Sequence, residues 1–191
     1  MKKALIVIGA VVGAVVLFYL YGTTVYDKAV KSQEVVEQKW GDVQSDYQRR
    51  ADLIQNLVNT VKGAAENEKE ILTQVIQARQ GIANAKTPAE LDKNAEVFSR
   101  SFSILVERYP EVKSTASFQQ LQAQIEGTEN RIKKSRSDYN EVVKDYNSLI
   151  RGFWRSKALS LLGSSDEFPK REMFEAQAGS EIAPTVDFSK E

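Results

Sequence analysis

The run Ala4 to Tyr21, ALIVIGAVVGAVVLFYLY, contains no charged and no strongly polar side chain, and nothing like it recurs in the rest of the 191-residue chain. Eighteen residues of helix at 1.5 Å rise reach about 27 Å, close to the ~30 Å hydrocarbon core of a bilayer. Lys2 and Lys3 precede the run. Tyr19 and Tyr21 sit near its far end, where amphipathic rings favour the membrane–water interface. The downstream sequence is polar and helical in pattern, which predicts a helical domain tethered to a membrane by one transmembrane helix within residues 1–23. A cleaved signal peptide would have a shorter apolar region followed by a small-x-small site, which Gly22, Thr23 and Thr24 match poorly. With no cysteine in the chain, lipid attachment through an N-terminal Cys is excluded.

Composition narrows the function classes. Lys plus Arg and Asp plus Glu both number 26, so the net charge is zero and no clustered basic excess points to nucleic acid. The absence of Cys removes disulfides, a thiolate nucleophile and Cys-ligated metal. The absence of His removes the commonest general base near neutral pH and the commonest transition-metal ligand. The chain is expected to be no enzyme and to carry no cofactor and no metal.

Spacings of three and four dominate the remaining sequence, and no segment alternates apolar and polar as a half-buried strand does. A first helix over about residues 24–63 carries the stripe Val36, Trp40, Val43, Tyr47, Ala51, Ile54, Leu57 and Val61, with Gly63 as its stop. Asn67 with Glu70 opens a second helix, about 67–85, with Ile71, Val75, Ala78 and Ile82 on one face. Thr87-Pro88-Ala89-Glu90 has cap, N1 proline and N3 glutamate in order, the strongest helix start in the chain. That third helix, about 88–108, carries Leu91, Ala95, Phe98, Phe102, Leu105 and Tyr109 and ends at Tyr109-Pro110. Ser117 and Gln120 open a fourth, about 117–153, whose stripe runs Phe118, Leu121, Ile125, Thr128, Ile132, Ser135, Tyr139, Val142, Tyr146, Leu149 and Phe153. The repeat holds over about five heptads, which indicates coiled-coil-like packing. Short connections favour antiparallel neighbours. The expected all-α architecture is an N-terminal transmembrane helix followed by an antiparallel up-down four-helix bundle, its long first and fourth helices forming a stalk.

The run Arg49-Arg50-Ala51-Asp52-Leu53-Ile54-Gln55-Asn56-Leu57-Val58, followed by Val61-Lys62-Gly63 and Glu68, resembles the signature of the LemA family of bacterial membrane-anchored proteins. Further matches are Ala78-Arg79, Tyr109-Pro110-x-Val112-Lys113, Glu126-x-x-Glu129, and Arg136 with Tyr139-Asn140 and Tyr146-Asn147. The resemblance spans almost the whole chain, including the N-terminal anchor. It implies a four-helix bundle on a single-pass anchor and assigns no biochemical activity. Gln55 stands where the family usually has Pro, which implies a straighter first helix here.

If helices one and four run antiparallel, Trp40 falls beside Tyr139, Tyr47 beside Ile132, and Arg50 beside Glu129. Arg49, Arg50, Asp52, Asn56, Glu126, Glu129 and Arg136 then crowd into one polar layer. Such a layer is either a structural network that fixes helix register or a binding site for a polar ligand or peptide. Glu126 and Glu129 share a face and in principle suit a hard cation, but helix-surface Glu pairs are common and neighbouring Arg and Lys would satisfy them. Gly9 and Gly13, with Ala10 and Ala14, form small-x-x-x-small pairs that permit close helix packing in lipid and point to a homo-oligomer.

Beyond helix four the composition changes. Arg151-Gly152-Phe153-Trp154-Arg155-Ser156-Lys157 leads into Ala158-Leu159-Ser160-Leu161-Leu162-Gly163. Phe153 and Trp154 combine with cations as a membrane-interface segment does, and packing against a neighbouring subunit or the stalk is the alternative. In the tail, residues 156–191, Phe168, Met173, Phe174 and Phe188 are expected to anchor short docked turns, and much of the remainder to be flexible. The functional expectation is a non-enzymatic membrane-tethered scaffold or adaptor that self-assembles and presents a helical surface to envelope proteins. A monomeric accessory subunit of a membrane protease or transporter is the alternative. Lys2, Lys3 and the free amine close to the apolar run favour a cytoplasmic N-terminus in the bacterial inner membrane and a periplasmic bundle. The LemA resemblance is usually read with the opposite orientation.

Overall fold

The computed structural model describes residues 2–61, 69–108, 116–163 and 167–175. The described chain is all-helical: α1 Lys2–Val61, α2 Lys69–Asn84, α3 Pro88–Arg108, α4 Ala116–Arg151 and α5 Phe153–Leu162, with no strand among the described residues. Gly63, Asn67, Tyr109, Pro110 and Phe188, and the side chains of Ile54, Asn56, Leu57, Val61, Ile71, Phe102, Leu105 and Ser117, lie outside the described set.

The N-terminal apolar run and the first helix of the domain are one element. α1 runs unbroken for 60 residues, about 90 Å at 1.5 Å per residue. Its N-terminal part reaches a mean hydropathy of 2.6 over its most apolar window, none of it buried, and is long and apolar enough to cross a membrane. No proline interrupts the segment, and the helix continues through Gln55. Past the apolar run the pattern changes to a single buried stripe: Val25, Ala29, Val36, Val43, Tyr47 and Ala51.

That stripe meets α4. Trp40 lies beside Tyr139 with ring centroids 5.5 Å apart, and Arg50 pairs with Glu129. Phe118, Ile132, Tyr139, Val143 and Tyr146 supply the buried face of α4. Two polar residues in this face, Thr128 and Ser135, satisfy their hydroxyls within the helix by donating to the carbonyls of Ile125 at 2.6 Å and Ile132 at 3.2 Å.

α2 and α3 pack on each other through Val75, Ala78, Ile82, Leu91 and Phe98. The turn between them is built as its residues dictate. Thr87 Oγ1 accepts from the Glu90 N–H at 3.2 Å, and Glu90 Oε2 accepts from the Lys86 N–H at 2.8 Å. Gln44 Nε2 donates to the Ala85 carbonyl at 2.8 Å and ties this turn to α1. The Asn94 side chain of α3 lies over Gly81, where a Cβ would stand 2.3 Å from its Oδ1.

α4 ends earlier than its heptad pattern implies. Gly152 adopts an extended conformation, φ −61° and ψ 132°, and α5 starts afresh at Phe153. Phe153 therefore does not continue the core stripe; it is exposed on α5. The stripe stops because glycine weakens the helix where the apolar face runs out. α5 packs against α1 at Gly22, where a Cβ would lie 2.5 Å from Leu162 Cδ1 and 3.8 Å from Ala158 Cβ.

Candidate functional site

The seven residues of the expected polar layer do not form one cluster. Arg50 Nη1 donates to Glu129 Oε2 across α1 and α4, with the carboxylate side chain 60% exposed. Asp52 turns instead to Arg79 on α2, accepting from Nη2 at 2.6 Å. Glu126 is exposed and accepts from Gln122 Nε2 at 3.3 Å, one turn away on its own helix. Arg49 is exposed on the rim of a groove of about 470 Å³ shared with Leu53, Gln124, Gly127, Thr128 and Arg131. The Asn56 side chain lies outside the described set. Arg136 sits two turns down α4 from Glu129 and belongs to a different centre. The layer separates because α1 turns its polar flanks toward two neighbours, α4 on one side and α2 on the other.

Among the described residues, the centre around Arg136 is the most connected polar group. Nη1 and Nη2 donate to Asp92 Oδ1 and Oδ2 at 2.9 and 3.1 Å, a bidentate pair to α3. Nη1 also reaches the Tyr47 hydroxyl at 3.2 Å, and that hydroxyl donates to Asp92 Oδ1 at 2.9 Å. Nη2 donates to the Glu175 carbonyl at 3.2 Å, and the guanidinium lies 4.6 Å over the Phe174 ring. One arginine thus joins α1, α3, α4 and the C-terminal segment. Burial, then the Asp92 charge, hold the Tyr47 phenol well above its ordinary pKa, against the opposing pull of Arg136.

The C-terminal segment is held through its backbone. Asn147 Nδ2 donates to the Arg171 carbonyl at 2.8 Å, and its Oδ1 accepts from the Arg171 N–H at 3.0 Å. Asn140 repeats this pair on Phe174, at 2.9 and 2.8 Å. Tyr146 donates to the Pro169 carbonyl at 3.0 Å and Tyr139 to that of Glu172 at 3.1 Å. The two Tyr-Asn pairs are seven residues apart, about 10.5 Å along a helix. The backbone positions they hold are three apart, about 10 Å of extended chain, so the periods match. Burial raises the phenol pKa of both tyrosines.

Side chains finish the docking. Phe174 stacks on Trp40 at 6.0 Å and meets Tyr139 edge-on at 5.5 Å. Phe168 meets Tyr26 edge-on at 5.4 Å, and Tyr26 donates to Glu167. The hydrogen bond to Glu167 is the first cause of a raised Tyr26 pKa, followed by burial. Arg171 Nη2 donates to Glu37 at 2.9 Å. Met173, expected as a third anchor, points outward instead. Two cavities flank the segment, one of about 570 Å³ against Pro88, Ala89 and Asp92, the other of about 250 Å³ against Val36, Trp40 and Thr87.

The remaining sequence candidates are surface positions. Gly9 and Gly13 have no other atom within 4 Å of a built Cβ. Phe153 and Trp154 are exposed and meet edge-on at 5.2 Å. No group of three or more Asp and Glu suited to a metal occurs among the described residues. Sequence reasoning missed Asp92 and the clamp. The available signal was Asn140 and Asn147: two amides at heptad spacing, each following a core tyrosine, need a backbone partner.

"Protein LemA" of Metamycoplasma hominis (strain ATCC 23114 / DSM 25592 / NBRC 14850 / NCTC 10111 / PG21) is 22% identical over 142 residues, 72% of this chain, and the chain spans 65% of that relative's length. The model of the LemA family matches residues 39–188, from the Trp40 stripe through the clamped segment and beyond it. This chain belongs to the LemA family.

Proposed function

We propose that the protein is a non-enzymatic, membrane-tethered scaffold or adaptor of the bacterial inner membrane. In this reading its domain is an antiparallel up-down four-helix bundle on an α1–α4 stalk, placed in the periplasm, that self-assembles and presents a helical surface to other envelope proteins. The observation that carries the reading is the continuity of α1, in which one helix holds both the apolar span and the core stripe of the domain. A rigid domain fixed to its anchor suits presentation of a surface at a set height above the bilayer. The opposed numbering of the Trp40–Tyr139 and Arg50–Glu129 contacts supports the antiparallel arrangement. Gly9 and Gly13, unopposed within the chain, support a second copy packing along the span.

Particle size tests the proposal. The detergent-solubilised full chain should run as a large homogeneous assembly, and Gly9→Ile with Gly13→Ile should reduce it. A monomer in both cases would replace self-assembly with the accessory-subunit reading, and crosslinking in native membranes would then identify the partner. Protease added to spheroplasts tests placement: a domain that stays intact until lysis is cytoplasmic.

A further inference from the structure

α5 turns its largest apolar side chains away from the protein. Phe153, Trp154 and Leu161 are 69%, 65% and 72% exposed, while Ala158 and Leu159 are buried on the opposite side. At 100° per residue the three exposed residues share one arc of the helix with Lys157. An apolar ridge of this kind on a ten-residue helix is a surface suited to meeting an apolar phase.

Its position points to that phase. Leu162 Cδ1 and Ala158 Cβ close on Gly22, the residue after Tyr21, which ends the apolar run of α1. Gly163 comes close to Tyr26, one turn further along α1. The α1–α4 register set by Trp40 with Tyr139 and Arg50 with Glu129 returns the end of α4 to about the level of Lys28. Both ends of α5 therefore lie within about two turns of α1, so the helix crosses α1 rather than following it into the span. Arg151, Arg155 and Lys157 are exposed around it, and Glu167, beyond its end near Gly163, is taken up by the Tyr26 hydroxyl.

Resting on the reading of α1 as a membrane anchor, we infer that α5 lies in the headgroup layer of the leaflet from which α1 emerges. Phe153, Trp154 and Leu161 enter the upper acyl region, and Arg151, Arg155 and Lys157 meet lipid phosphates. The long stems of Arg and Lys cover apolar surface while their heads stay with the phosphates. The domain is then fixed to the bilayer at two points, a span through it and a collar on it.

The experiment uses the full chain reconstituted in vesicles of zwitterionic and anionic phospholipid. Brominated acyl chains quench tryptophan by contact, and the chain has two tryptophans, Trp40 and Trp154. Bromines near the headgroup should remove about half of the wild-type emission, since two rings share it. They should quench Trp154→Phe, which retains only Trp40, far less, and bromines near the bilayer centre should quench both proteins weakly. If Trp154 is open to a water-soluble quencher instead, nothing covers the ridge and the inference falls. Trp154 shielded from both quenchers would mean a second protein covers it, which also overturns the inference. Flotation reports the anchor separately. A chain that floats without Trp154 quenching loses the collar alone, and one that does not float loses the anchor and the collar together.

Discussion

Asn147 meets the backbone of Arg171 twice, its amide donating to the carbonyl at 2.8 Å and accepting from the N–H at 3.0 Å. A side chain here does what a neighbouring strand would do, and Asn140 does it again at Phe174. Residues 167–175 are thereby integral to the domain, although these described residues have no helical or strand hydrogen bonding of their own.

Replacing Asn147 by Ala leaves the Arg171 N–H and carbonyl without their partner. The expected loss is about 1–3 kcal/mol of stability, with faster hydrogen exchange at Arg171 and easier tryptic cleavage after Lys170. Equal exchange in the variant and the wild type would show that the clamp contributes nothing.

Arg136→Lys keeps the charge but cannot make the fork to Asp92 or lie flat over Phe174. It should lower the thermal midpoint, consistent with a loss of about 1–3 kcal/mol for a charge-assisted pair. In a double-mutant cycle with Asp92→Asn the two effects should be non-additive.

Arg50 and Glu129 give the opposite expectation. The Arg50 side chain is 21% exposed but Glu129 is 60% exposed, so the pair is screened and Glu129→Ala should cost no more than about 1 kcal/mol. A much larger loss in urea titration would mean that the pair is covered in the assembled protein.

Stability should fall on the alkaline side. Tyr47, Tyr139 and Tyr146 all have phenol pKa values raised by burial. The folded state favours the neutral phenol, so this contribution is fully present below the unfolded value near 10 and is lost as pH rises above it. Thermal midpoints measured from pH 8 to 11 should decline, and Tyr47→Phe should flatten that decline while lowering stability at neutral pH.

How much of this was legible in the sequence depends on whether the signal is periodic. The all-helical fold and the apolar N-terminal helix follow from spacing, because burial repeats along a helix. The Arg50–Glu129 contact follows from register, since one correct pair of facing residues fixes the next. Asp92 was not legible in this way: it sits on α3, whose rotation about its axis no heptad count supplies. Arg136 reaches Asp92 rather than the Glu129 layer for the same reason, because a long side chain on a polar flank reaches whichever helix lies there. The clamp lay hidden because an extended segment held by side chains has no period of its own.

On the proposed reading of α1 as a membrane anchor, its unbroken course also makes the bilayer an input to the pose of the domain. From Gly22 to Val61 the helix extends about 60 Å, and a spanning helix sets its tilt by the thickness of the hydrocarbon around it. A change of about 10° in tilt swings the far end of such a lever by roughly 10 Å. Membranes of different thickness would thus aim the same surface at different neighbours without any change inside the protein.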